Sequence, residues 1–302
     1  MRVLVTGAAG TLGRALIPRL IEAGHEPVAL DLVPSSDVAE GVVGDVRDGK
    51  FVSSATRGVN MVVHAAALHG IHLRDHSLRE FYDLNVTGTF NVWQAAVEHG
   101  VGGVVFSSTM GVYGESRTPS ANDAVAFVEE GVPLRPSDIY GWSKVVGEEL
   151  CAYHWRDHGI PSIALRFGMF VPESFFRYGI RLLYGGVDEV DAADAVLAAL
   201  AALGRGEVAY GAYNVEAPVP FTVEDAPDLR RDPLAALERH LPGSSELLRA
   251  RGVRSLKPIT EVFPVSRLAK ELGFHPRYDF AAWLEQLSAR PGARAVADPP
   301  WP

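Results

Sequence analysis

The feature that most limits the fold is a glycine-spaced turn set directly behind an apolar run. Val3-Leu4-Val5 is followed at once by Thr6-Gly7-Ala8-Ala9-Gly10-Thr11-Leu12-Gly13. From there Leu12, Leu16, Ile17 and Leu20 fall at helical spacing until Gly24. A buried strand, a tight turn and a helix are predicted in immediate succession. Gly7, Gly10 and Gly13 permit the turn, close approach of the backbone to a pyrophosphate, and tight packing of helix on strand. Ala9, Thr11 and Leu12 complete the cradle, and the helix N-terminus offers free N–H groups and a positive dipole end to an anion. A second apolar run, Pro27 to Leu30, closes on Asp31. A carboxylate there can accept from both hydroxyls of an adenosine ribose and repels a 2′-phosphate. The cofactor expected on these residues is NAD in preference to NADP. Arg14 is the counter-signal, since it can reach a phosphate, and is read as a solvated first-turn arginine.

Further apolar runs at Met61 to Val63, Val104 to Phe106 and Ile163 to Arg166 alternate with helical stretches at about Leu78 to Glu98 and Tyr140 to His158. Strands alternating with helices of this length mean a parallel sheet with helical crossovers. A helix near Asp191 to Leu203 and a strand near Ala212 to Val215 return to that sheet. The fold class expected is α/β: a Rossmann-type, doubly wound parallel sheet with a small, mostly helical C-terminal substrate lobe. The division expected is a dinucleotide domain, 1–171 plus 188–217, and a substrate lobe, 172–187 plus 218–290. Residues 291–302, rich in Ala and Pro, are expected to be a mobile tail. A chain of 302 residues with 47% hydrophobic and 22% charged residues can bury a core of this size.

Charge and composition exclude other classes. A formal net charge of −9 disfavours nucleic acid and anionic membrane surfaces as partners. No apolar run reaches the roughly 18 residues of a membrane span. The N-terminus enters a strand with no room for a signal peptide, so a cytoplasmic location is expected. Cys151 is the sole cysteine, which rules out an internal disulfide or a cysteine metal site. His69, His72 and His76 have spacing that can suit a metal, but no acid completes the set. No metal is expected, and the segment is read as a cover over the substrate.

Tyr140-Gly141-Trp142-Ser143-Lys144 carries the chemistry. Four residues apart on a helix, Tyr140 and Lys144 share a face. The helix opens one crossover after Ser107-Ser108-Thr109, which ends a strand, and open parallel sheets bind ligands at that end. Oxidising an alcohol by hydride transfer requires removal of the hydroxyl proton. A free tyrosine is a poor base at neutral pH, and a neighbouring ammonium favours its phenolate. Thr109 can fix the reacting oxygen, and Asn85, on the helix before that strand, can hold a water or the helix backbone for a proton relay. The catalytic set expected is Thr109, Tyr140, Lys144 and Asn85.

Gly7-x-x-Gly10-x-x-Gly13, Asp31, Gly44-Asp45-Val46, His64-Ala65-Ala66, Asn85-Val86-x-Gly88-Thr89, Ser107-Ser108-Thr109, Tyr140-x-x-x-Lys144 and Leu165-Arg166 recur in this order over about residues 1 to 215. Together they resemble the extended short-chain dehydrogenases/reductases, the NAD-dependent epimerase/dehydratase family. The resemblance implies that Asp45 and Val46 flank the adenine. It implies that Ala65, Ala66, Ala67, Asn85, Ser107, Tyr140 and Lys144 line the cofactor. Leu68, His69, Thr109, Met110 and Phe167 would then meet the substrate. Arg166 and Arg177 can grip a substrate carboxylate or phosphate, with a buried structural ion pair the equal alternative for Arg166. The family also commonly forms homodimers through helices near 84–98 and 140–157.

Departures from the family pattern narrow the activity. Met110-Gly111 stand where the dehydratases of the family carry a proton-moving pair, so elimination is not expected. Met169 stands where its sugar-nucleotide epimerases carry a diphosphate-binding amide. Arg166-Phe167-Gly168 with Pro172-Glu173 is instead similar to uronate dehydrogenases, although Thr109-Met110 replace their Asn-His pair. The function expected is hydride transfer between NAD and a hydroxyl or carbonyl of a small carbohydrate-like substrate, by a dehydrogenase or an epimerase. Two alternatives stand beside it: a UDP-sugar epimerase with a compact lobe, and a non-catalytic NAD(H) sensor.

Overall fold

The computed structural model describes residues 1–34, 40–119, 125–293 and 295. Nine strands run through them: β1 (Arg2–Thr6), β2 (Glu26–Asp31), β3 (Glu40–Val43), β4 (Met61–His64), β5 (Val104–Thr109), β6 (Ala126–Phe127), β7 (Ser162–Phe167), β8 (Tyr210–Val215) and β9 (Glu261–Val262). Seven form one parallel sheet in the order β3-β2-β1-β4-β5-β7-β8, and β6 pairs with β9. This is the α/β, doubly wound arrangement expected from the alternation of runs. Strand order reverses between β1 and β4, where connections leave in opposite directions and open a crevice at the carboxyl ends.

Side-chain alternation sends each strand's residues to opposite faces. On one face, Leu16, Ile17 and Leu20 of the helix Thr11–Glu22 and Val196 and Leu200 of the helix Glu189–Gly204 cover Val3, Val5, Ile163 and Leu165. On the other, Trp93, Val92 and Cys151 pack on Leu4, Val62, Val104 and Phe106. A separate cluster joins Phe176, Ile180, Leu229, Leu237 and Trp283, drawn from segments on both sides of β8. Of the expected tail, residues 294 and 296–302 lie outside the described residues.

Two details differ from the sequence reading. The helix expected from Leu78 to Glu98 is interrupted by a π-turn, Tyr82–Thr87, around Asn85. Such turns mark places where a side chain must be aimed away from the regular helical path. The short edge strand β3 has no apolar run to announce it.

Glu216, the residue after β8, is buried, and its Oε1 has no hydrogen-bond partner. Burial first, and the nearby Glu261 carboxylate second, push its pKa well above the ordinary carboxylate value, while Arg117 opposes them. Glu261 is itself bonded to Arg117 at 3.2 Å. A carboxyl with a raised folded-state pKa binds its proton more tightly in the folded chain. Its contribution to stability is full below the ordinary carboxylate pKa and is lost as pH rises through the folded value. Glu216→Gln carries no such proton. The variant should therefore gain stability relative to the parent as pH rises above about 4.5, and urea unfolding across a pH series measures this. Parallel pH profiles for the two proteins would refute it.

Candidate active site

Two cavities meet over the crevice between β1 and β4. One, of 170 Å³, is lined by Gly7, Gly10, Asp31, Asp45, Val46 and Ala66 among others. The other, of 210 Å³, is lined by Thr11, Leu12, Ser107, Tyr140, Lys144 and His69 among others. Gly7, Gly10, Ala65 and Ala67 belong to both, so the floor is continuous. That floor is bare backbone for a packing reason. Gly7 has φ +72, and a Cβ on it would stand 2.7 Å from the Ala66 nitrogen. A Cβ on Gly13 would stand 2.3 Å from the Ala8 carbonyl oxygen, so the helix can lie this close to the turn only with glycine there.

The turn is braced from its rim. The Ala9 N–H donates to Asp31 Oδ2 at 2.9 Å, while Arg14 Nη1 donates to the Ala9 carbonyl at 2.6 Å. Among the described residues, Asp31 Oδ1 has one long contact, 3.4 Å from the Val33 N–H. Arg14 therefore supports the turn, and the Asp31 carboxylate lines the cavity beside it. Asp45 is gripped by Arg47 at 2.9 and 3.0 Å, which holds its carboxyl below the ordinary range. The donor set and the side-chain-free floor fit a dinucleotide.

Tyr140 and Lys144 rise at the far end of the groove. Asp138 caps their helix, Ile139–His158, by accepting from the Gly141 N–H at 2.7 Å. Lys144 Nζ donates to the Ser107 carbonyl at 2.7 Å and lies 5.9 Å from the centroid of the Tyr140 ring. Burial lowers the Lys144 pKa to about 7. Burial raises that of Tyr140, and its hydrogen bond with the Thr109 side chain opposes the rise. The His69 ring covers Tyr140 at 4.9 Å. Burial, then Lys144 and His72, lower the His69 pKa to about 4, so a neutral imidazole faces the phenol.

Asn85, expected to hold a water or the helix backbone, is bonded to protein groups. Its amide donates to the Leu68 carbonyl at 2.9 Å and to Ser143 Oγ at 3.0 Å, and its Oδ1 accepts from the Leu68 N–H at 2.8 Å. These bonds tie the side chain to the backbone of Leu68 and to the helix that carries Tyr140.

The family model that matches residues 3–174 is described as the NAD dependent epimerase/dehydratase family. The chain belongs to this family. Within it, the chain is 31% identical to a uronate dehydrogenase from Pseudomonas putida over 57% of its own length and 62% of that protein's. It is 30% identical to a UDP-glucose 4-epimerase from Streptomyces lividans over 82% of its own length and 74% of that protein's. Among solved structures it is similar to a short-chain dehydrogenase/reductase superfamily protein from Agrobacterium tumefaciens with bound NAD. That likeness has a TM-score of 0.71 and 26% identity, and it covers 96% of this chain and 97% of the other. The P. putida match thus spans under two thirds of its relative.

On the substrate side the structure corrects several expectations for this family member. Arg166 does not reach the cleft. Its Nε and Nη2 donate to Glu148 at 2.9 and 2.7 Å, and its Nη1 donates to Tyr113 Oη and the Glu130 carbonyl. A buried arginine needs these acceptors more than an exposed ligand would. Phe167 is packed in the sheet core, and Met110 lies in a cluster with Val112, Tyr113, Val128 and Phe263. Arg177 lies outside the Tyr140 cavity and borders a smaller one with Met169, Tyr184 and Lys257. The sequence reading also missed Thr6, Thr89, Ser143 and Glu148. The available signal was polarity at buried positions: Glu148 follows Tyr140 and Lys144 at the same four-residue interval.

Proposed function

We propose that the chain is an NAD-dependent oxidoreductase acting on a hydroxyl or carbonyl of a small sugar or sugar acid, with Tyr140 as the base. The observation that carries this is one continuous groove, bare backbone at the Gly7 end and Tyr140, Lys144 and Ser107 at the other. NAD, when bound, supplies the hydride acceptor and a positively charged ring. Gly7, Gly10, Thr11 and Leu12 would hold it at the diphosphate, Asp31 at the ribose, and Asp45 and Val46 at the adenine. Tyr140 Oη would take the substrate's hydroxyl proton, with Thr109 fixing the reacting oxygen and Lys144 favouring the phenolate. Leu68 and His69 border the substrate in this reading, and residues 172–187 with 218–290 form its lobe.

A second reading, a UDP-sugar epimerase, draws on the S. lividans likeness. Against it, Met169 is exposed beside β7 and can donate no hydrogen bond to a diphosphate. Two measurements decide. The chain should form NADH from NAD with at least one neutral sugar or uronate, at higher kcat/KM than with NADP, and UDP should not bind the NAD complex in calorimetry. Micromolar UDP binding at the active site would restore the epimerase reading. Failure to reduce NAD with every sugar and sugar acid, without UDP binding, would leave the sensor.

The proposal extends to a homodimer in the cytoplasm, where the reaction would draw on the soluble dinucleotide pool. Among the described residues no helix is long and apolar enough to cross a membrane. Tyr82, Phe90, Trp142 and Tyr153 are exposed on neighbouring helices, with the Tyr82 and Trp142 rings stacked at 6.4 Å. Exposed aromatic side chains of this kind are suited to a second copy. Sedimentation should give a dimer that Phe90→Glu dissociates; a monomeric parent would refute this part.

A further inference from the structure

One buried chain of hydrogen bonds ties the cofactor floor to the catalytic helix, and its direction can be worked out bond by bond. Thr89 Oγ1 donates to the Asn85 carbonyl at 2.5 Å, which uses its only proton. It must therefore accept from His64, whose Nε2 lies 2.9 Å away. His64 then carries its proton on Nε2. Its Nδ1 is an acceptor and receives the Thr6 hydroxyl at 2.7 Å. Thr6 Oγ1 in turn accepts the Ala65 and Ala66 N–H groups, each at 3.2 Å. In this order the imidazole meets one acceptor and one donor and must be neutral. Burial, aided by the Lys144 charge, lowers its pKa to about 3.

Beyond Asn85 the chain continues to the backbone of Tyr140. The Asn85 amide donates to Ser143 Oγ, and Ser143 donates to the Tyr140 carbonyl at 2.7 Å. Asn85 is thus held at its carbonyl by the His64 branch and holds Tyr140 through its amide. The π-turn around it frees it from the regular helical path to do both.

We propose that His64 is a positioning residue for Tyr140: wedged between Thr6 and Thr89, it sets the height of Asn85, and so of Tyr140, over the Ala65–Ala66 floor. The proposal rests on the reading of Tyr140 as the base, and its first test does not need a substrate.

In ¹⁵N spectra of histidine-labelled protein, His64 should show a protonated Nε2 and an unprotonated Nδ1, without titrating between about pH 5 and 9. A titrating ring or the other tautomer would overturn the proposal, whatever the substrate proves to be. The second test removes the link without cutting volume. Thr89→Val should lower kcat roughly 10- to 100-fold and leave NAD affinity within about twofold. It should also move the Tyr140 limb of the pH–rate profile to higher pH, and Thr89→Ser should restore both. If Thr89→Val does not fold, His64→Gln, which keeps an N–H toward Thr89, should retain most of kcat where His64→Leu does not. Parental kcat in Thr89→Val or His64→Leu overturns the proposal. So does a loss of activity with the pH limb unmoved, since a merely structural role would give that result.

Discussion

Tyr140→Phe should lower kcat by roughly 10²- to 10⁴-fold and leave NAD affinity within about twofold. The substitution removes one oxygen from a ring that the structure otherwise keeps in place. The ring's packing against His69 and the Lys144 bond to the Ser107 carbonyl do not depend on that oxygen. Nor do the Gly7 turn and Asp31, which form the other end of the groove. On the proposed mechanism the proton acceptor is lost, and with it only the bond to the Thr109 side chain. In the free protein burial raises the Tyr140 pKa, so the hydroxyl is protonated at neutral pH, and a base must be made of it by positive charge brought close. On the proposed mechanism Lys144, held at the Ser107 carbonyl, would provide part of that charge when protonated. Steady-state turnover and calorimetric NAD titration separate the two effects. Turnover near that of the parent protein would remove Tyr140 from the mechanism, while lost NAD affinity would mean that the hydroxyl belongs to the cofactor cradle.

The parts of this site that could be read from the sequence are those whose geometry is local. The turn from Thr6 to Gly13 is contiguous, and Tyr140 and Lys144 are placed by helical pitch alone, so their spacing survives any error in topology. The doubly wound sheet followed from buried strands that read as unbroken apolar runs. What escaped depends on partners far apart in the chain. β6 and β9 are two residues each and pair across a long separation, with no pattern to mark them. β3 is an edge strand without a buried face. Thr6, His64 and Thr89 are polar residues on buried elements, and their meaning appears only when β1, β4 and the helix after the π-turn come together. Arg166 shows the limit most directly. An arginine at the end of a sheet strand serves a ligand or a structural acid equally well by sequence. Which one it serves depends on Glu148, whose presence opposite β7 is a fact of packing.

Arg166→Met should therefore destabilise the protein by about 3–5 kcal/mol and do little to KM. Arg166 and Glu148 are both buried, with side-chain exposures of 6% and 4%. Replacing the cation leaves a carboxylate that has lost both guanidinium donors and keeps only the Ser108 hydroxyl, 2.5 Å from its Oε1. It also leaves Tyr113 Oη and the Glu130 carbonyl without the Nη1 donor. Pairing in a low-dielectric interior offsets the desolvation of the two charges only while both are present. For this reason the double replacement Arg166→Met with Glu148→Leu should recover most of the loss seen in the single variant. Urea unfolding of the parent, both single variants and the double variant gives the coupling directly. The alternative predicts a different pattern. An arginine that gripped a substrate carboxylate would raise KM on removal, hardly change stability, and show no coupling to Glu148. That pattern would return Arg166 to the binding site and require the cleft to open toward Tyr113 when substrate enters.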